Sequence, residues 1–133
     1  MADVSSPTER ELAILKVLWD RGQASVREVY EVLRVDLPIV QNTVQAFLRT
    51  MEEKGQVRHH VEGRTFVYSP VLAREATSRG LVSGLLERMF DGAVDQLVES
   101  ALSLRKPTEA ELTRLKKLVD AAARESAGRS RSI

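Results

Sequence analysis

The sequence predicts a mainly α-helical, α+β chain in two parts, and three observations carry that prediction. First, a hydroxyl residue precedes a glutamate by three positions at Thr8–Glu11, Ser25–Glu28 and Thr108–Glu111, each time ahead of an apolar run. This is the capping-box signature of a helix start, in which hydroxyl and carboxylate each take a backbone N–H that the first turn leaves unpaired. Second, the apolar period changes between Gly55 and Pro70 from one face in 3.6 residues to alternation, the mark of a short hairpin inside a helical chain. Third, helical spacing resumes after Val71 and is broken only at Asp91-Gly92 and Pro107.

The first helix starts after Thr8, buries Leu12, Leu15, Val17, Leu18 and Trp19, and ends at Asp20-Arg21-Gly22, with glycine where a helix C-terminus favours it. The second runs from Ser25 to about Val35 on Val29, Val32 and Leu33, and Pro38 marks the connection that follows. A third helix covers about 40–54. Val44, Phe47, Leu48 and Met51 fall at i, i+3, i+4 and i+7 on one face, and Lys54-Gly55 closes it. Val57, Phe66 and Tyr68 then alternate with more polar neighbours on two strands, residues 57–69, joined by a tight turn at Glu62-Gly63.

From Val71 the chain reads as three more helices. Leu72 to Phe90 carries Leu81, Leu85, Leu86 and Met89; Ala93 to Leu104 carries Val94, Leu97, Val98 and Ala101; and the last, capped at Thr108, carries Leu112, Leu115, Leu118, Val119 and Ala122 to about Ala123. The small, polar and basic residues 124–133 are expected to form a disordered tail. Residues 1–70 and 71–123 are therefore the expected domains.

Composition narrows the function classes. Hydrophobic residues at 43% and charged residues at 29% describe a soluble folded chain, and the scarcity of aromatics leaves a core of Leu and Val. The absence of cysteine excludes a disulfide framework, a thiolate metal site and a cysteine nucleophile together. The start MADVSSPTERE is polar and acidic where a signal peptide is basic and then apolar. No apolar run approaches the roughly 20 residues of a membrane span. The expectation is a cytoplasmic protein with no membrane insertion.

Net charge is +1, with nine Lys/Arg against ten Asp/Glu up to Pro70. A nucleic-acid partner must therefore be argued from where the basic groups lie.

Three helices followed by a hairpin is the order of a winged helix-turn-helix, in which the third helix enters the major groove and the hairpin, or wing, reaches flanking backbone. With its apolar seam inward, the third helix turns Asn42, Ala46, Arg49 and Glu53 outward, with Gln45 and Thr50 beside them, and the candidate base contacts are Asn42, Thr43, Gln45, Ala46 and Arg49. Asn42 and Gln45 suit adenine, Ala46 a thymine methyl, and Arg49 guanine or phosphate. Glu52 and Glu53 repel DNA, so only the first half of the helix enters a groove. A polar helix face is most often merely solvated, but four compatible residues in phase outweigh that reading. Arg58, His60 and Arg64 on the wing, Gln41 at the start of the third helix, and Ser25 and Arg27 at the second are the candidate DNA-backbone contacts. The plain alternative is that the wing charges only solvate an edge strand.

Catalytic and metal chemistry find little support. His59 and His60 are adjacent on a strand, so they point to opposite faces and do not converge on one ion; both are expected to be solvated wing residues. No acid–base pair, nucleophile or phosphate loop stands out, and Trp19 beside Leu15 and Leu18 reads as core rather than a ligand platform. No enzyme activity, cofactor or metal is expected. A competing reading is a winged-helix protein-interaction module without sequence-specific DNA binding.

The segments TERELAILKVLWDRGQASVREVYEVL, NTVQAFLRTMEEKG, EGRTFVYSPV and LLERMFDGAVDQLV resemble the penicillinase-repressor family of BlaI, MecI and CopY type, from about Thr8 to Val119. The resemblance implies a homodimeric transcriptional repressor that binds a palindromic double-stranded DNA operator, in the family's resistance branch one controlling antibiotic-resistance genes. It implies a carboxy-terminal three-helix dimerisation domain, for which Leu81, Leu85, Leu86, Met89, Leu97, Leu112, Leu115 and Val119 are the candidate residues. A small helical domain that cannot bury its own Leu and Val points to pairing on physical grounds as well. In the resistance branch a membrane sensor protease acts upstream of cleavage in the dimerisation domain. The matching region here is Ser100-Ala101, where those repressors have an asparagine and an aromatic residue. The cysteine cluster of the copper branch has no counterpart. Gln41-Asn42 stands where relatives often carry tyrosine and threonine, which implies an operator different in detail.

Overall fold

A computed structural model describes residues 6–131. The elements are α1 (Glu9–Arg21), β1 (Ala24–Ser25), α2 (Val26–Leu33), α3 (Gln41–Glu53), β2 (Val57–Glu62), β3 (Thr65–Pro70), α4 (Arg74–Phe90), α5 (Val94–Leu104) and α6 (Glu109–Arg131). The chain divides after Leu85 into two compact units.

Local chemistry sets the helix starts as expected. In α1 the Glu11 N–H donates to the Thr8 hydroxyl at 3.2 Å while the Thr8 N–H donates to the Glu11 carboxylate at 3.0 Å. The same reciprocal pair forms at Ser25–Glu28 and at Thr108–Glu111. Gly22, at φ 85°, ends α1 in a backbone conformation that side chains avoid, and its N–H donates to the Leu18 carbonyl at 2.7 Å.

The antiparallel sheet has the order β1-β3-β2. β2 and β3 pair from Val57 opposite Pro70 to Glu62 opposite Thr65, leaving a two-residue loop of Gly63 and Arg64 with Gly63 at φ 66°. β1 is an addition to the expected elements, since two residues have no period to read; it pairs Ala24 with Tyr68 and Ser25 with Val67.

The core of the first unit gathers Ile14, Leu15 and Leu18 from α1, Val29 and Leu33 from α2, Val44, Leu48 and Met51 from α3, and Val57 and Tyr68 from the sheet. Two expectations need correction. Ile14 is fully buried although the α1 seam did not include it, while Leu12 and Trp19 are half-buried. On β3 it is Val67 and Tyr68 that are buried, whereas Phe66 is half exposed, stacked on His59 and bordering an open cleft.

Glu11 is only 2% exposed and does more than cap α1. Its carboxylate accepts from the Lys54 ammonium at 2.8 Å and from the Gln56 amide at 3.3 Å, tying the start of α1 to the end of α3. Burial opposes its ionisation, but Lys54, the Thr8 N–H and Gln56 together hold its carboxyl below the usual carboxylate range.

The base of α4 belongs to this unit. The Trp19 indole N–H donates to the Leu72 carbonyl at 2.8 Å, and Arg74 lies 5.6 Å from the Trp19 ring and 3.7 Å from Asp20. Thr77 is buried and donates its hydroxyl to the Ala73 carbonyl. A Cβ at Gly80 would meet only open space, so nothing packs closely against α4 at that point among the described residues.

In the second unit, Asp91 at φ 50° and Gly92 at φ 82° make the turn between α4 and α5, and the Gly92 N–H caps the Leu86 carbonyl at 2.9 Å. No described side chain from Leu86 onward is buried. An apolar concavity of about 390 Å³ lies between α5 and α6, walled chiefly by Val98, Ala101, Leu102, Pro107, Leu115 and Leu118.

α6 corrects another expectation. It continues to Arg131 instead of ending near Ala123, so residues 124–131 are helical where a disordered tail was expected, and 132–133 lie outside the described residues. Alanines at 121–123 and 127 carry the highest helix propensity, and Glu125 meets Arg129 one turn on at 3.6 Å. Those terms outweigh Gly128. Among the described residues no helix is long and apolar enough to cross a membrane.

Candidate nucleic-acid interface

α3 lies with Val44, Leu48 and Met51 fully buried and Phe47 partly so, which fixes the rotation of everything else on it. Asn42, Ala46, Arg49 and Glu53 form its exposed crest; Gln41 and Gln45 flank the crest toward the wing, and Thr43 and Thr50 on the other side. The start of α3 has no side-chain cap, since Val40 stands at that position. The Thr43 N–H already donates to the Val40 carbonyl at 3.1 Å, which leaves the first-turn N–H groups of Gln41 and Asn42 open to an anion.

A cleft of about 470 Å³ opens on the wing side. It is lined by Ser25, Val26 and Arg27 from the start of α2, Gln41 and Gln45 from α3, and Arg64, Thr65, Phe66 and Tyr68 from the hairpin. Of the expected backbone-contacting residues, the fold brings Ser25, Arg27, Gln41 and Arg64 together here. Arg58 and His60 are not among the lining residues; both are exposed and lie on the opposite face of β2 from His59. His60 sits 2.7 Å from the Glu62 carboxylate. Val26, Thr65, Phe66 and Tyr68 were not foreseen, because only the two-residue pairing of β1 with β3 sets α2 beside the hairpin.

The start of α2 is not a bare anion-binding end. Glu28 already occupies it, its carboxylate accepting from the Ser25 N–H at 2.8 Å, a bond that leads in holding its carboxyl below the usual range. The charge this corner offers a ligand therefore comes from Arg27.

His59 departs from the expected solvated wing residue. Its ring nitrogen Nδ1 lies 2.7 and 2.8 Å from the two Glu52 carboxylate oxygens, its backbone N–H donates to the same group at 3.3 Å, and its ring stacks on Phe66 at 4.1 Å. Glu52 is thus turned toward the wing and engaged there. Tyr68, opposite His59 on β3, has its ring centroid 5.5 Å from the imidazole. Burial, then the Glu52 carboxylate, push the Tyr68 hydroxyl above its ordinary pKa, with Arg49 pulling the other way.

On the far flank, Thr43, Ala46, Phe47 and Thr50 border a shallower hollow with Thr8, Glu11 and Lys54. Among the described residues no group of three or more His, Asp or Glu side chains is placed to hold a metal ion.

Of the candidate dimerisation residues, Leu85 is 46% exposed, Met89 69%, Leu112 40% and Val119 64%, while Leu81, Leu86, Leu97 and Leu115 are half-buried. Ser100 and Ala101 lie inside helix α5, where the Ser100 carbonyl accepts from Ser103 at 2.8 Å.

Comparison with known proteins agrees with this architecture. A family model described as penicillinase repressor matches residues 7–121. The penicillinase repressor of Bacillus licheniformis is 25% identical over 120 residues, covering 90% of this chain and 94% of that protein. The solution structure of the DNA-binding domain of the repressor BlaI aligns with 56% of this chain and 90% of its own at 31% identity, with a TM-score of 0.50. At the level of fold alone, the YusO protein from Bacillus subtilis aligns over 89% of this chain and 75% of its own, at 16% identity and a TM-score of 0.53. The order of helices and hairpin, the exposed polar crest of α3 and the match over nearly the whole chain lead to one conclusion: this protein belongs to the penicillinase repressor family, a family of winged-helix, DNA-binding transcriptional repressors and not of enzymes.

Proposed function

We propose that the chain represses transcription in the cytoplasm as a homodimer seated on a palindromic operator. Residues 1–70 read one half-site each and residues 71–123 join the two copies. The observation that carries this reading is the cleft beside α3, where Ser25, Arg27, Gln41, Gln45 and Arg64 converge from three elements. Asn42, Thr43, Gln45, Ala46 and Arg49 meet base edges in the major groove, while the cleft grips the adjoining backbone.

The base contacts are confined to the first half of α3. Glu53 remains exposed on the crest and repels phosphate, whereas Glu52 is drawn aside by His59. Pairing of two copies supplies the apolar cover that α5 and α6 lack, through Leu97, Leu112, Leu115 and Val119 among others.

By similarity to the penicillinase repressor, the regulated genes are of the antibiotic-resistance kind. Relief comes by proteolysis at Ser100-Ala101, downstream of a membrane sensor protease. Because proteases bind extended chain, cleavage there requires α5 to open locally first.

Footprinting on the protein's own promoter region tests the operator reading. A two-fold-symmetric footprint with half-sites near one helical turn apart, or a multiple of it, is the expected result. Binding without sequence preference at moderate salt would overturn it. Loss of all salt-dependent DNA binding, with retention of a protein partner, would favour an interaction module instead.

A further inference from the structure

We propose that Tyr68 is a DNA-binding residue, donating its hydroxyl to a backbone phosphate oxygen held in the cleft between α2, α3 and the wing. The proposal rests on the operator-binding reading above and adds to it a contact on which none of the expected contacts depends.

Tyr68 is 4% exposed, and its ring packs with the core and beside His59. Its hydroxyl has no hydrogen-bond partner among the described residues. A buried tyrosine normally satisfies that group, because an unpaired hydroxyl away from water is costly. Here the oxygen is not among the sealed, unpartnered side-chain atoms, so it keeps access to solvent although nearly all the residue is covered. The open surface that Tyr68 borders is the cleft. An apolar body in the core with a free polar tip at a cleft floor is the arrangement of a ligand donor.

The chemistry of the cleft specifies the ligand. Ser25, Arg27, Gln41, Gln45 and Arg64 bring hydroxyl, amide and guanidinium donors, and no carboxylate lines it. Such a surface fits an anion that only accepts hydrogen bonds. A phosphodiester is that anion, with no proton of its own at neutral pH. The carboxylate that would otherwise compete for the tyrosine proton is Glu52, and it is held by His59 at 2.7 and 2.8 Å. With burial and Glu52 both disfavouring the phenolate, Tyr68 meets phosphate as a neutral donor.

Tyr68→Phe is the direct test, since it keeps the ring, its volume and its packing on His59. Operator affinity is expected to fall about tenfold, within the range for a hydrogen bond to a charged group. The melting temperature should stay unchanged. So should the dependence of affinity on salt, because a neutral donor releases no counterion. Arg64→Ala in the same assay should instead reduce that salt slope by about one.

A methylphosphonate placed at each half-site phosphate in turn should reveal one position at which the wild-type protein loses affinity and Y68F does not. Wild-type binding to the operator with equal affinity of Y68F would overturn this contact alone. A wild-type protein with no salt-dependent affinity for DNA would overturn the operator reading and this contact together.

Discussion

The two units of the chain bury apolar surface very differently. In the first, Ile14, Leu15, Leu18, Val29, Val44, Leu48 and Met51 are all at 0% exposure; in the second, no described side chain is buried, and Leu104, Val119 and Leu118 stand at 84%, 64% and 63%. Both are similarly rich in Leu and Val, so composition does not separate them. The difference lies in layers. Three helices and a sheet enclose a core in the first unit, whereas α5 and α6 leave apolar side chains exposed. A monomer with that face open stands to gain a large share of the stability of its second unit by association. The first unit encloses its own core, and the second leaves its apolar face uncovered.

The largest expected effect breaks the second half of that comparison. Val119→Asp changes a residue already 64% exposed, so in a self-sufficient helical unit it would shift stability by no more than about 0.5 kcal/mol. If a second copy covers this face, two symmetry-related carboxylates are buried without partners, and self-association weakens on the order of 100-fold. Sedimentation equilibrium measures this directly; an unchanged dimer would show that the open face is not the interface.

Leu48→Ala probes the other half. It empties space in a closed core and is expected to cost about 2–5 kcal/mol in thermal or denaturant unfolding. The control is Leu104→Ala, 84% exposed, with a change within about 0.5 kcal/mol. Equal effects at the two positions would erase the distinction between the units.

What could be read in advance follows the same division between near and far. The three capping boxes were legible because hydroxyl and carboxylate are three residues apart and need nothing but a helix to meet. The α3 seam was legible because Val44, Leu48 and Met51 share one face by geometry alone. Pairings set by the tertiary fold were not legible. Glu11 meets Lys54 and Gln56 across more than forty residues, Trp19 meets the Leu72 carbonyl across more than fifty, and β1 exists only because β3 passes beside it. The cleft shows both kinds: Arg27, Gln41 and Arg64 were named from their chemistry, but Phe66 and Tyr68 read as core alternation. In α6 the difference is local: residues 124–131 are small, polar and basic, yet the alanines at 121–123 and 127 keep them helical.

Within the well-built unit, the crest of α3 is where stability and function should separate. Asn42→Ala and Arg49→Ala remove exposed side chains that the core does not use. Each is expected to cost about 1–3 kcal/mol of affinity for the specific operator while leaving self-association and melting temperature unchanged. Gel shifts on the operator and on a scrambled duplex measure the difference. If both variants keep full operator affinity, the crest is only a solvated helix face.

The smallest effect concerns Glu11, which lies wholly inside the first unit and so should leave the second untouched. Its folded-state pKa is lowered, so its unfolded form binds a proton more readily than its folded form. The stability it contributes is therefore complete above the ordinary glutamate range and is lost as pH falls through the lowered folded value. Unfolding of the first unit should become easier below about pH 4, and more steeply in wild type than in Glu11→Gln. At neutral pH the glutamine still accepts from the Thr8 N–H, and Lys54, 36% exposed in its side chain, remains hydrated. The neutral-pH cost is accordingly about 1 kcal/mol, close to one hydrogen bond's worth. Urea titrations of both proteins from pH 3 to pH 7 measure it. Identical pH profiles would mean that Lys54 and Gln56 hold the end of α3 to α1 without help from the Glu11 charge.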